Sequence, residues 1–599
     1  MMLLLVLIAI IVLWNAPRVV EKAAERLRGW LGETHARHFE LCRHFFLRFF
    51  DSDLISDPSQ ARVVAGGAIG ILVSLSLIFG QAYYHKYRML GSLDSPEPFE
   101  SAVLGDVLFL VTLAMVAAAL FTTLEWPALF PALRDYLALA SLPVLMREIF
   151  AAKFLALLAV AIVVIAAAAL PPSVIIPAMM SGPYAAGCGR HVPGIFVASV
   201  LGGWFVFFTL VAIQGALLNL LPVAQFPRVS LAVQGILLAA LLAGLPFVFS
   251  IPTFFNGIAG LPAWSAYAPP FWFFAIDQLI FGAHDAAIVH LARIAAAALI
   301  LSAAAAVANY LWSYRRHRIR VLEAPSLESA ASRFSWPAAA GQRLVPGARA
   351  LGVFSFTWKS LARSRQHRLI LITFGAVAVA LISEGFANLI FDGGLRTFAV
   401  ASEGTREAVI AIPLALSLLL IGGLRYVFRL PVELRANWIF RITAPGHAME
   451  LSSAIELFLF YCGALPVAIL TLPMETTLLG ARTGLEVTLL CFLTSALLIE
   501  ALLVSFEKIP FTSSYLPGRR TLIQTVIVCS IIAAGYIGGL AALVSLLIRS
   551  LTSGSIVAAI LGAAWWTIRR ARRDSHRNLH FEFEDRVETV VQLLGIERE

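Results

Sequence analysis

Residues Leu129–Phe150 read LFPALRDYLALASLPVLMREIF, and they separate two long apolar runs without belonging to either. The stretch opens at Pro131, sets Arg134 beside Asp135 and Tyr136, breaks at Pro143 and closes with Glu148. Leu430–Leu451, LPVELRANWIFRITAPGHAMEL, repeats the pattern. Leu133-Arg134 answers Leu434-Arg435, and Asp135-Tyr136 answers Asn437-Trp438. Glu148 and Glu450 follow Pro143 and Pro445 at the same offset. Two matched polar inserts in so apolar a chain imply one membrane unit used twice. Bracketed by prolines, each insert reads as a short helix lying along the membrane surface. Arg134, Asp135, Arg435 and Asn437 are expected to face the cytosol, with Tyr136 and Trp438 toward lipid or the bundle.

An apolar content of 60%, with 14% charged residues and a mean hydropathy of +0.85, excludes an ordinary soluble globule. The apolar runs are continuous rather than alternating, which excludes a β-barrel. The expected fold is therefore an all-α polytopic membrane protein. Its net charge of +9 does not signal nucleic-acid binding, because most of the 45 Lys and Arg fall in alternate loops and ends. Such a positive face meets anionic lipid and cytosolic partners. The 5 cysteines, Cys42, Cys188, Cys462, Cys491 and Cys529, follow no metal spacing and read as small apolar fillers. His35, His38, Cys42 and His44 fit a basic interfacial face better than a metal cluster.

Organisation follows from the positions of these runs. Residues 1–60 hold an N-terminal hydrophobic segment and a cytoplasmic elbow helix, HARHFELCRHFFLRFF. Residues 61–312 hold six spans, beginning at 62–80 and ending at 289–312. A basic linker occupies 313–350. A second six-span unit fills 351–568, opening on its own elbow, FSFTWKSLARSRQHR, and ending with a span at 553–568. Residues 569–599 form a cytoplasmic tail that starts RRARR. An even number of spans leaves both units facing the same way, so the repeats are parallel. Pro269–Gly282, PPFWFFAIDQLIFG, suits an amphipathic helix at the outer aromatic belt or a re-entrant segment.

The motifs that are missing restrict the chemistry. No GxxxxGK[ST] is present, so the chain has no phosphate-cradling loop for ATP. HExxH and GxSxG are also missing, which weighs against a protease or hydrolase. Polar groups within spans are candidates for function by default. Glu456 and Glu500 lie at similar depth near the inner ends of their helices, and Gln214 aligns with Glu500 in the first unit. The competing reading is a helix-end carboxylate paired with a nearby Arg or with Lys508. Asp277 and Glu384 lie toward the outer side, within reach of the interface by snorkelling.

The elbow helix, the six spans per unit and the insert between second and third spans resemble permease subunits of ABC-2-type transporters. The chain is more closely similar to a double-length, fused bacterial form. The residues that carry the resemblance are LFPALRDYLALASLPVLMREIFAAK, PPFWFFAIDQLIFG, IPFTSSYLPGRR and the tail FEFEDRVETVVQLLG. The resemblance implies an exporter half in the bacterial cytoplasmic membrane, not itself an enzyme and with no cofactor of its own. ATP would be held by separate ATPase subunits. Those partners would press on Arg134, Asp135, Tyr136 and Glu148, and on Arg435, Asn437, Trp438 and Glu450. The alternative is an ion-coupled secondary transporter with two six-span repeats, using Glu456 or Glu500 as its proton-binding carboxylate.

Overall fold

Long apolar runs fold as helices in a bilayer because every backbone amide must find its partner within the chain. The computed structural model describes residues 38–46, 76, 79–130, 145–180, 183–185, 187–222, 225–254, 263–323, 345, 347–391, 403–430, 437–443, 448–504, 506, 508–512, 535–541, 544 and 551–576. About 90% of the structure is helical, with no strand among these residues. Nine helices among them are long and apolar enough to cross a membrane. The protein is an all-α, multi-pass membrane protein. The N-terminal apolar run, most of the expected spans 62–80 and 521–547, and the tail after residue 576 lie outside the described residues.

The chain divides into two compact units, Met1–Leu241 with Leu245–Glu328, and Leu242–Gly244 with Ser329–Glu599. In the first, α1 (38–46) and α2 (79–90) precede α3 (Glu97–Leu124), α4 (Met146–Met179), α5 (His191–Leu220), α6 (Phe226–Phe254), α7 (Pro269–Phe281) and α8 (Ala286–Glu323). Helix α3 is the most enclosed of the nine, and it packs on α4, α5 and α7. Its Thr112 and Thr122 hydroxyls donate back to the Leu108 and Ala118 carbonyls, so neither brings an unmet polar group into the bundle. Helix α2 continues to residue 90, beyond the end expected for the span 62–80. Its Tyr, His and Lys residues end the apolar run but not the helix. The aromatic segment at Pro269 is helical, with prolines in the first turn where no amide partner is needed. It packs on α3, α5 and α8, with Phe271, Phe273 and Phe274 buried.

In the second unit, α9 (Ala348–Arg363), α10 (Arg365–Phe391), α11 (Glu403–Val427) and the short α12 (Asn437–Thr443) precede α13 (Ala448–Leu459). One wide i→i+5 turn at Phe460–Ala464 joins α13 to α14 (Leu465–Leu479). Pro466 explains the widening, because it cannot donate to the carbonyl one turn back and its ring crowds that turn. The span Met449–Leu479 stays continuous through this wide turn. Only Gly480 separates α14 from α15 (Ala481–Leu503), and α16 (Leu551–His576) is last among the described elements. Helix α16 does not stop at residue 568, so RRARR forms helical turns instead of opening the tail. Phe354, Phe428, Phe458 and Phe511 form the aromatic centre at the insert end of this unit. The Phe428 ring lies 5.8 Å from both Phe458 and Phe511.

Candidate functional site

The two inserts are held at their margins. In the first unit, α3 ends in a tight turn at Trp126–Ala128, where Pro127 forbids further α-helix. Gln214 of α5 donates from Nε2 to the Trp126 carbonyl at 2.6 Å. The Trp126 indole N–H donates to Ser230 Oγ at 3.0 Å, and Gln234 Nε2 donates to the Thr123 carbonyl at 2.8 Å. All of these side chains are buried, so α5 and α6 grip the chain just upstream of Pro131. Downstream, Glu148 caps α4 by accepting from the Leu145 amide at 3.1 Å. It also lies 3.8 Å from His38 Nε2 of α1.

The second unit holds its insert with different residues. His367 Nε2–H donates to the Leu430 carbonyl at 3.1 Å, while its Nδ1 accepts from the Ser364 hydroxyl at 2.5 Å. The Phe511 amide donates to the Phe428 carbonyl at 3.0 Å. Phe511 holds φ +66, a left-handed conformation that costs about 1 kcal/mol or more. Full burial of its ring among Phe428 and its neighbours keeps it there. Downstream, Glu450 lies 3.6 Å from Arg349 of α9. Gly347 permits this approach, since it has φ +91 and an added Cβ would stand 2.5 Å from Glu450 Oε1. Thus Glu148 and Glu450, matched in sequence, each meet a basic residue on the helix that precedes the spans of their unit.

Within the second insert, α12 presents one residue inward and several outward. Phe440 is buried with its ring 5.1 Å from Phe356 of α9, whereas Trp438 is 64% exposed and Ile442 72% exposed. Asn437 opens this helix. Arg134, Asp135, Tyr136 and Arg435 lie outside the described residues.

Glu456 and Glu500 are brought together by a partner that sequence reasoning placed in the tail. Arg572 donates from Nε to Glu500 Oε2 at 2.6 Å, from Nη1 to Ser452 Oγ at 3.0 Å, and from Nη2 to Glu456 Oε2. Arg569 reaches Glu456 Oε1 at 2.8 Å and lies 3.7 Å from Glu500 Oε1. Arg569 and Arg572 share a face of α16 because they stand three residues apart, as Ser452 and Glu456 share a face of α13. Two cations and two anions form a charge-neutral knot in which Arg572 and Glu500 are almost wholly buried. Gln214, their expected counterpart in the first unit, spends its donor on Trp126 instead.

Other buried charges escaped the sequence reading. Asp106 of α3 is fully enclosed and accepts from Lys86 at 2.8 Å and from the Tyr87 hydroxyl at 2.5 Å. Glu475 of α14 is also fully enclosed; the Thr488 hydroxyl donates to its Oε2 at 2.5 Å, and Oε1 has no hydrogen-bond partner. Asp277 does not snorkel. It is buried, 3.0 Å from His191 Nδ1 and 2.9 Å from Gln278 Nε2, and it fills the space that a Cβ at Gly194 would need. Among the described residues no group of three potential metal ligands gathers. Compared with protein-family models, with curated proteins and with solved structures, the chain matches none.

Proposed function

We propose that the chain is the membrane-spanning part of an ATP-driven exporter of the ABC-2 type, acting in a bacterial cytoplasmic membrane. Its energy would come from ATPase subunits on separate chains that dock on the inserts Pro131–Glu148 and Pro431–Glu450. One relationship carries this reading: the margins of both inserts are anchored in the same way. Upstream, a buried side chain of the bundle grips a backbone carbonyl: Gln214 on Trp126, His367 on Leu430. Downstream, Glu148 and Glu450 meet His38 and Arg349 on the preceding amphipathic helix. A push on an insert held this way moves helices instead of being absorbed by a slack loop. The exposed Trp438 and Ile442 of α12 suit the apolar centre of a docking contact, where Trp is favoured.

The charge knot favours this reading over proton coupling through Glu456 or Glu500. A proton-carrying carboxylate must release its partner in every cycle, and both carboxylates here face two guanidinium groups. The knot ties α16 to α13 and α15, so these helices respond together to a push at Glu450.

The test is assembly and hydrolysis. The tagged chain, purified from membranes of a cell that naturally carries it, is expected to bring with it a subunit bearing Walker motifs and Mg·ATP hydrolysis. Trp438→Asp with Ile442→Asp should release that subunit while leaving the chain monodisperse. Retention of the subunit by this variant, or ATP hydrolysis by the chain alone, would contradict the proposal.

A further inference from the structure

Helix α16 carries four arginines near its end, and they divide into two pairs. Arg569 and Arg572 turn toward Glu456 and Glu500. Arg570 and Arg573 are exposed and have no carboxylate partner among the described residues. Together with Arg569, they line a surface cavity of about 530 Å³ whose other walls are Met449, Trp566 and Asp574. Arg569 is fixed from behind by Glu456 and lies 4.7 Å from the Trp565 ring centroid. Arg570 lies over the Trp566 ring at 5.3 Å, so this guanidinium is oriented before any ligand arrives. With Arg569 already facing a carboxylate, Arg570 and Arg573 against the one Asp574 leave the cavity net positive.

We propose that this cavity binds the phosphate headgroup of an anionic membrane lipid. Arginine forks match phosphate oxygens in a bidentate way, and three of them converge here. The half-exposed Trp566 and Met449 supply an apolar wall, which a free anion would not use but the glycerol and upper acyl region of a lipid would. The site also follows the apolar residues 555–568 of α16, and tryptophan is favoured at the boundary between lipid and water. A bound lipid would brace the back of the Arg569–Glu456 contact and so stiffen the charge knot.

The experiment uses the full chain in a neutral detergent, with lipid binding read by native mass spectrometry and by thermal stability. Phosphatidylglycerol, phosphatidylcholine and inorganic phosphate are the probes. Phosphatidylglycerol should bind and stabilise, while phosphatidylcholine and millimolar inorganic phosphate should not. Arg570→Gln with Arg573→Gln should weaken phosphatidylglycerol binding about a hundredfold, the loss of two charge-assisted contacts to its phosphate. Arg570→Lys with Arg573→Lys should retain a large part of it. Arg315→Gln with Arg316→Gln, in the other dense basic cluster, should leave binding unchanged. Equal losses from the two Gln pairs would show diffuse attraction and overturn the site. Competition by inorganic phosphate as strong as that by lipid would make it a free-anion site and also overturn the proposal. Loss of a bound ATPase with unchanged lipid binding would assign the arginines to a protein contact instead.

Discussion

Arg572 donates to Glu500 at 2.6 Å across 72 residues of sequence, and neither side chain is more than a few per cent exposed. Removing two ions from water costs several kcal/mol for each, so such a pair needs hydrogen bonds as well as opposite charge. Arg572 has Glu456, Glu500 and Ser452 as acceptors, while Glu500 Oε1 accepts no hydrogen bond and faces Arg569 at 3.7 Å. Arg572→Ala should therefore destabilise the protein by about 3–5 kcal/mol, because it leaves buried carboxylates short of countercharge. Replacing Arg572 with Met and Glu500 with Leu together should cost much less. Thermal unfolding in detergent separates the two, and equal losses would show that the pair acts through packing alone.

The downstream anchors are weaker, because Arg349 is 48% exposed and Glu450 30%. Arg349→Glu should cost about 1 kcal/mol or less in stability. Its effect on transport should be larger, and the exchanged pair Arg349→Glu with Glu450→Arg should restore it. Failure of the exchange to restore transport would remove this contact from force transmission.

The lengths of the apolar runs made the spans legible, and the shared prolines and charges made the inserts legible. Side-chain partners were not, since spacing reports only neighbours along one helix. Glu456 and Glu500 stood out as ionisable groups at equal depth. Their partners lie 116 and 72 residues away in a basic run that reads as a solvated tail. Glu475 carries no signal of its own, since its donor Thr488 lies on the next helix, beyond the Gly480 turn. Asp277 was misjudged because its amphipathic helix packs inside the bundle instead of at its rim. The turn that fixes Phe511 has no sequence signal of its own, since a left-handed phenylalanine is chosen by packing.

Glu475 offers a cleaner test of buried charge. The Thr488 hydroxyl donates to it, Thr471 lies beside it, and no Lys, Arg or His lies within ion-pair distance among the described residues. Glu475→Gln keeps the acceptor without the charge and should be neutral or stabilising by about 1 kcal/mol. Thr488→Val should cost more, about 1–3 kcal/mol, because it removes the donor that stands 2.5 Å from the buried carboxyl. The reverse order in thermal unfolding would point to a cation partner for Glu475.

Asp277 lies outside the nine spans, and burial pushes its carboxyl above the usual 3.8, with His191 and Gln278 offsetting part of the effect. The folded chain therefore keeps this proton at pH values where the unfolded chain has lost it. The associated stability is fully present below the unfolded pKa and is lost as pH rises through the folded one. Asp277→Asn should flatten that decline, as followed by unfolding midpoints from pH 4 upward. An unchanged pH profile would show that His191 compensates the carboxylate completely.

The most direct measurement is ATP hydrolysis by the assembled complex after reversing Arg134 and Arg435. Two inserts that receive force should fail together when both charges are inverted, and rim charges in a docking contact change association most. Arg134→Glu with Arg435→Glu is expected to lower chain-stimulated hydrolysis about tenfold or more, with the unfolding midpoint of the membrane part unchanged. Full stimulation in the double variant would make the inserts spacers and contradict ATP-driven export.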